Sequence, residues 1–373
     1  MWAGGVPLRF SLEPLFVIRC FRIDSFISMQ EHRITFILLI LQTISIALCT
    51  YNGSRFLREQ LQSLANQTLL PTEVIITDDC SSDNTLEIIQ EFGNQLNIKS
   101  FRNETSLKVT KNFERAISRC TGDIILMCDQ DDLWHADKLA KIHAYFQENS
   151  NKLAVFCDAE LVDEKGENLG NNFWSVVRFY ELQRQQWKNG QEVEILLAGN
   201  RSAGCMMAFR KELTEKIIPF PTHIPEMIHD NWITIIAAIL DKIGIIEERL
   251  ISYRQHSFQQ IGTRPKESGK AISLKDRFSR PRAEKLAPFL TKRDYFCTLK
   301  DALAERIDES NPNFKKLDRI INFYDIRGTL SPFHLARLFP ILNLLLSGDY
   351  HLYKDQEASW KAPFVAAIGD LLE

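Results

Sequence analysis

Two acidic clusters in this chain have the residue types and spacing to hold a cation. Asp78-Asp79 and Asp129-Gln130-Asp131-Asp132 each end a short apolar run, and Thr50-Tyr51-Asn52 ends a third. Carboxylates that converge repel one another unless a cation sits among them. For carboxylate oxygens the natural ion is a hard divalent one, Mg²⁺ or Mn²⁺. The chain has no G-x-G-x-x-G after the first apolar run and no G-x-x-x-x-G-K-[ST] anywhere. Dinucleotide-binding and P-loop readings therefore lose their main support.

The elements that must position these clusters alternate in kind. Residues 44–49 alternate like a strand, and Phe56, Leu57, Leu61 and Leu64 then recur at helical spacing. Residues 73–77 read as a short buried strand. Ser81-Ser82-Asp83-Asn84-Thr85 is dense in helix-capping residues, and Leu86, Ile88, Ile89 and Phe92 continue as a helix. A strand over 97–101, a helix over 111–120 stopped by Thr121-Gly122, and a strand over 124–128 follow. This β-α-β-α-β rhythm predicts an α/β fold with a mainly parallel sheet and helices on both faces. In such sheets ligands bind beyond the carboxyl ends of the strands, where all three polar clusters fall.

Three segments together resemble the signatures of family 2 glycosyltransferases. They are Ile44-Ser45-Ile46-Ala47-Leu48-Cys49-Thr50-Tyr51-Asn52-Gly53, Ile75-Ile76-Thr77-Asp78-Asp79-Cys80-Ser81-Ser82-Asp83-Asn84-Thr85, and Asp129-Gln130-Asp131-Asp132-Leu133-Trp134. Two more, His229-Asp230-Asn231-Trp232 and Ile251-Ser252-Tyr253-Arg254-Gln255-His256-Ser257, are similar to elements of the family's bacterial rhamnosyltransferase-like branch. The resemblance implies a GT-A fold, of Rossmann-like type, and a nucleotide-sugar donor carrying uracil or thymine. By the same resemblance Tyr51 stacks on the base beside Thr50 and Asn52, and Asp79 accepts the base N3–H with Asp78 alongside. Asp131 binds Mg²⁺ or Mn²⁺ directly, with Asp129 on the ribose or the ion's hydration shell. His256 is placed on the metal and His229 near it, while Arg254 is placed on the diphosphate. Asp230 falls at the position of the general base of an inverting transfer.

Most of these residues also admit a structural role. Asp78, Asp79, Asp132 and Asp230 suit helix termini, and Asp83 reads as a turn and cap residue. Arg254 could instead hold a carboxylate, and Trp134 packs beneath the site. Residues 198–209, with Gly199 and Gly204, resemble the family segment between donor and acceptor, and equally a turn entering a core strand. Phe173, Trp174 and Trp187 either line an acceptor groove or pack in the core.

The implied activity is transfer of a sugar, plausibly L-rhamnose from a dTDP donor, onto a cell-surface glycan or lipid-linked oligosaccharide in polysaccharide biosynthesis. A UDP-hexose or UDP-N-acetylhexosamine donor is the alternative. Nucleotidyl transfer usually needs a Gly-rich basic segment after the first strand, and here Arg55 is the one basic residue before Phe56. A non-catalytic glycan-binding scaffold would lack Asp131 or Asp230, and both are present.

Composition bounds the rest. The chain has 373 residues and a net charge of −3, which excludes a basic nucleic-acid-binding field. Eight cysteines include no C-x-x-C pair, a usage that predicts a reduced, cytoplasmic protein without a zinc or disulfide framework. Three parts are expected. Residues 1–43 form a leader without clear patterning, with Met29 an alternative start; 44–263 form the transferase domain; 264–373 form a helical extension. Residues 264–293 hold ten Lys or Arg against three acidic residues, and 335–346 is strongly apolar. That pairing predicts peripheral contact with anionic lipid at the inner face of the cell membrane.

Overall fold

A computed structural model describes residues 42–257, 259, 281–353 and 360–372. By contact the chain divides between Thr43 and Ile44, and the unit from Ile44 onward holds all but two of the described residues. Residues 1–41 of the expected leader and 264–280 of the basic segment lie outside them. The strands are β1 (Ile44–Thr50), β2 (Glu73–Asp78), β3 (Ile98–Arg102), β4 (Ile124–Cys128), β5 (Leu133–Trp134), β6 (Ala154–Val162), β7 (Asn168–Asn172), β8 (Met207–Arg210) and β9 (Ile243–Arg254). Among the described residues, the helices of eight or more residues are α1 (Leu57–Ala65), α2 (Lys108–Ile117), α3 (Lys138–Glu148), α4 (Glu181–Lys188), α5 (His229–Ile239), α6 (Arg282–Ala304), α7 (Phe314–Gly328), α8 (His334–Leu346) and α9 (Ala362–Leu372).

One sheet of order β3-β2-β1-β4-β8-β6-β9-β5 organises the α/β region, with β7 paired to β6. It is parallel through β3-β2-β1-β4 and again at β6-β9; β8, β5 and β7 run antiparallel to their neighbours. Strands β2 and β4 are buried at every position, and β1 at every position but Cys49. Their Ile- and Val-rich runs are what a sheet covered on both faces requires. Edge strand β3 is mostly exposed and correspondingly polar. The C-terminal third is helical, as expected, with α6 packed on α7 and α8 on α9.

Register explains how distant residues meet. Thr50 lies opposite Asp78 and Leu48 opposite Cys128, so the three polar clusters emerge at one rim. The chain leaves β1 to one side for β2 and β3, then returns to the other side for β4. The gap between the loops after β1 and β4 is thus the switch point where such sheets bind ligands. Because β8 runs antiparallel to β4, the segment leading into it arrives at the same rim. Strand β9 runs parallel to β6 and ends there too, with Leu133 of β5 opposite its Ser252. That pairing sets Asp131 and Asp132 beside Arg254 and His256.

Two helices start about three residues earlier than their apolar periodicity suggests. The polar His229-Asp230-Asn231 stretch forms the first turn of α5, and α2 begins at Lys108 where Asp79 satisfies its backbone N–H groups. Among the described residues no helix is long and apolar enough to cross a membrane.

Candidate active site

A cavity of about 470 Å³ opens at the switch point, lined from the loops after β1 and β4, the start of α2, the lead into β8, the first turn of α5 and the end of β9. Tyr51 stands at its mouth with 43% of its surface exposed, a face free to stack on a planar ring. Its backbone is clamped by Gln130. The Tyr51 N–H donates to Gln130 Oε1 at 2.8 Å, and Gln130 Nε2 donates back to the Tyr51 carbonyl at 3.0 Å. A Cβ at Gly53 would collide with the Gln130 amide, so any larger residue there must displace this clamp. Asn52 adopts the left-handed region at φ 46° and accepts the Ser82 N–H at 2.8 Å, tying the β1 loop to the β2 loop.

Of the first acidic pair, Asp78 lies outside the cavity lining. Its carboxylate accepts the Thr50 hydroxyl at 2.9 Å, the Ser81 N–H at 2.9 Å and the Ser81 hydroxyl. It knots the ends of β1 and β2, which corrects its expected place among the nucleotide contacts. Asp79 does line the cavity, yet its oxygens already accept four hydrogen bonds. Asn103 Nδ2 at 2.7 Å and the Leu107 N–H at 2.6 Å reach one oxygen; the Ser106 hydroxyl at 2.8 Å and the Lys108 N–H at 3.0 Å reach the other. Burial pushes this carboxyl up, but those donors outweigh it and hold it below the usual range. Asp83, as expected, is a turn residue that accepts from Ser54 and Thr85.

The second cluster is short of positive charge. Burial, then repulsion from Asp131, pushes Asp129 up to about 7, with Asp230 adding to the rise and Lys138 opposing it. Burial, then repulsion from Asp131 and Asp129, raises Asp132 well above its ordinary value. One Asp132 oxygen accepts the Arg254 N–H at 3.0 Å; the other is buried without a partner. Asp129, Asp132 and Cys205 offer ligand atoms within 4.8 Å of one another. An orphaned carboxylate oxygen among mutually repelling carboxylates fits a hard divalent cation. The Cys205 thiol is raised well above its ordinary value by burial, so it is neutral and suits a hydrogen-bond donor better than a ligand. Asp131 Oδ2 lies 2.7 Å from His256 Nε2, and the imidazole packs 4.8 Å from the Phe56 ring.

Sequence reasoning missed Lys138. It is fully buried, donates to the Cys205 carbonyl at 2.6 Å and sits 3.6 Å over the Trp134 ring. Trp134 is buried beneath the Lys138 ammonium. Arg254 is a correction. Its guanidinium does not line the cavity but bonds the Asp131 carbonyl (2.8 Å), the Glu164 carbonyl (2.7 Å) and Glu59 Oε2 (2.6 Å), over the face of Phe56. It is a buried strut fastening the acidic loop to α1 and to the turn after β6. A diphosphate role would require breaking all three bonds.

Across the cavity, Asp230 occupies the second position of α5. Burial pushes its carboxyl up to about 7, against hydrogen bonds from the Asn231 backbone, the Asn200 side chain and the Gly204 backbone. The Asn231 N–H reaches Oδ1 at 2.6 Å. A carboxylate titrating there is suited to accept a proton at neutral pH. His229 also lines the cavity, but it is wedged 4.4 Å from Phe113 with Nδ1 unpartnered. Burial pushes it down to about 3, so it is neutral. Gly204 passes so close that a Cβ would stand 2.9 Å from His229 Nε2. Phe173, Trp174 and Trp187 are buried among Phe156, Phe179 and Tyr253, which decides for core packing over an acceptor groove.

The sequence profile of glycosyl transferase family 2 matches residues 45–217, spanning the first carboxylates, the β4 cluster and the lead into β8. These residues form a family 2 glycosyltransferase domain. An uncharacterized glycosyltransferase of Nostoc sp. is 26% identical over 220 residues, 57% of this chain and 65% of that protein. The dTDP-rhamnosyl transferase RfbG of Shigella flexneri is 38% identical over 100 residues, 25% of this chain and 34% of its own length. The poly(ribitol-phosphate) beta-N-acetylglucosaminyltransferase TarS of Staphylococcus aureus is 34% identical over 127 residues, 33% of this chain and 21% of TarS. The chain thus spans at most 65% of these relatives. A TarS crystal structure with UDP-GlcNAc superposes with a TM-score of 0.48 at 18% identity, covering 83% of this chain and 89% of that one.

Proposed function

We propose that the protein is a metal-dependent inverting glycosyltransferase, with the catalytic domain over 44–263 and the helical extension over 264–373. The observation that carries this reading is the buried Asp230 facing the same cavity as Asp129 and Asp131, with Asp132 buried directly behind them. Departure of a nucleoside diphosphate concentrates negative charge on two phosphates, and a divalent ion held by Asp131 with Asp129, Asp132 and His256 would stabilise it. Mg²⁺ and Mn²⁺ both suit that donor set. Asp230 takes the proton of the acceptor hydroxyl, and its helix-terminal position and three hydrogen bonds fix the carboxylate for that step. His229, neutral and packed, shapes the wall beside it.

Tyr51, held by Gln130, offers its ring to the base beside Thr50 and Asn52. Asp79 can take the base N3–H only by giving up one donor. The Ser106 hydroxyl, which rotates freely, is the one a base would replace. A dTDP-rhamnose donor draws support from the rhamnosyl transferase relative, and a UDP-N-acetylhexosamine donor from TarS. The acceptor we infer is a cell-surface glycan or a lipid-linked oligosaccharide. Cysteine usage supports action from the cytoplasm, and the basic sequence segment with the apolar C-terminal helices supports peripheral contact with anionic membrane.

The test is release of nucleoside diphosphate from a panel of dTDP- and UDP-sugars with Mn²⁺, with and without chelator. Release by the native protein from at least one donor, abolished by chelator and by Asp131→Ala, is expected. Release of pyrophosphate, or activity indifferent to the chelator, would contradict the reading.

A further inference from the structure

Lys138, the first residue of α3, follows the acidic loop closely and is fully buried. A lysine is almost never buried to that degree unless a carboxylate pairs with it. Here the ammonium donates to the Cys205 carbonyl at 2.6 Å and lies 3.6 Å from the centroid of the buried Trp134 ring. Among the described residues no carboxylate forms an ion pair with it. The thiols of Cys157, Cys205 and Cys128 also act on it, and burial raises all three, so they are neutral. Packing alone does not ask for a charge at this place. A methionine fills a similar volume, and exchanging a buried charge for an apolar residue of like size is often neutral or stabilising. The ammonium therefore needs an electrostatic reason.

That reason lies in the neighbouring loop. Asp129, Asp131 and Asp132, when ionised, carry three negative charges, of which a divalent ion cancels two, and one further positive charge closes the balance that a buried site requires. Arg254 does not supply it, because its guanidinium is paired with Glu59. Lys138 does act on these carboxylates. Burial pulls it below its ordinary value while Asp132 attracts it, and its charge in turn opposes the rise of Asp129. Cys205 joins the two halves of the site. Its carbonyl accepts from Lys138, its thiol hydrogen-bonds Asp129 and Asp132, and the backbone of the preceding Gly204 hydrogen-bonds Asp230.

We propose that Lys138 is a positioning residue for the transfer: its fixed charge offsets the negative charge of Asp129, Asp131 and Asp132 behind the divalent ion, and its bond to Cys205 holds the Gly204 segment against the acidic loop. Without the ammonium, the site with its ion in place keeps a net negative charge, which repels the departing diphosphate. This inference rests on the metal-dependent reading above and supplies the positive charge that reading leaves out.

The experiment is calorimetric titration of Mn²⁺ alone into the full chain and into Lys138→Met, Lys138→Gln and Lys138→Arg, with melting temperature and donor kinetics measured on each. Lys138→Gln keeps a donor for the Cys205 carbonyl and loses the charge, whereas Lys138→Arg keeps the charge. Lys138→Met and Lys138→Gln should bind Mn²⁺ about tenfold more tightly, because the ion no longer faces a second cation. Their kcat should fall about thirtyfold with little change in the donor KM, since charge on the diphosphate grows in the transition state. Lys138→Arg should return Mn²⁺ affinity and kcat towards the native values. A lysine that serves packing alone gives a different pattern, with Mn²⁺ affinity, activity and melting temperature falling together, and that result overturns the proposal. Lys138→Gln behaving like the native protein leaves only the hydrogen bond and overturns it too. Should Lys138→Met not fold, the contrast between Lys138→Gln and Lys138→Arg decides; unfolding of all three variants assigns Lys138 to the fold and overturns the proposal. A native protein that binds no Mn²⁺ overturns this inference together with the metal-dependent reading, whereas native binding with unchanged affinity in the variants overturns this inference alone.

Discussion

At the scale of single residues the site divides into carboxylates that hold structure and carboxylates left under strain. Asp78, Asp79 and Asp83 are saturated with donors, whereas Asp129, Asp132 and Asp230 are pushed up by desolvation, and one Asp132 oxygen has no partner. Acidic type and spacing were legible in the sequence. Which oxygens were already occupied was not, since the donors come from residues such as Ser106 and Leu107 that carry no chemical signature. The residue between the aspartates is the clearest case: Gln130 reads as a spacer, yet its amide clamps Tyr51. Gln130→Ala should raise the donor KM about tenfold with little change in kcat, because the lost contacts orient the base and are not specific to the transition state. Asp230→Asn should lower kcat about 10²- to 10⁴-fold. With Asp230 as base, kcat/KM should rise with pH and level off at or below about 7, since a bound cation can only lower the carboxyl value. An acid limb that persists in Asp230→Asn would assign it to another group.

At the scale of elements the parallel half of the sheet was readable from sequence, because buried parallel strands appear as uninterrupted apolar runs ending in polar clusters. The second half was not. The pairing of β5 with β9 joins residues more than a hundred positions apart, and no local pattern encodes which strand is neighbour to which. Arg254 shows the same limit: its spacing places it at the rim and allows either a diphosphate or a carboxylate partner, and the pairing turns its side chain towards Glu59. Arg254→Met should destabilise the protein by about 3 kcal/mol, discounted for the half-exposed Glu59, since the Asp131 and Glu164 carbonyls lose their donor. It should also weaken Mn²⁺ binding by loosening the acidic loop. Chemical denaturation and Mn²⁺ titration check the two effects, and unchanged stability would remove the strut assignment.

At the scale of the whole molecule, the near-zero net charge conceals a polarised distribution, acidic at the sheet rim and basic at the start of the C-terminal helices. The rim ties stability to pH. Asp129 and Asp230 are raised on folding from 3.8 to about 7, so the stability they add is complete below 3.8 and lost as pH rises through about 7. His229 acts oppositely, being lowered from 6.5 to about 3, but above 6.5 it is neutral folded and unfolded. The metal-free protein should therefore lose melting temperature as pH rises towards about 7 and level off above it, and added Mn²⁺ should restore more of it at the higher pH. Differential scanning fluorimetry with and without chelator reads both slopes. The central claim is a division of labour between the metal-holding Asp131 and the proton-accepting Asp230. Its most direct test is calorimetric titration of the active donor, with and without Mn²⁺, into Asp230→Asn and Asp131→Ala. Mn²⁺-dependent binding like the native protein's in Asp230→Asn, and its loss in Asp131→Ala, is the predicted result; binding equal in both variants and indifferent to Mn²⁺ would contradict it.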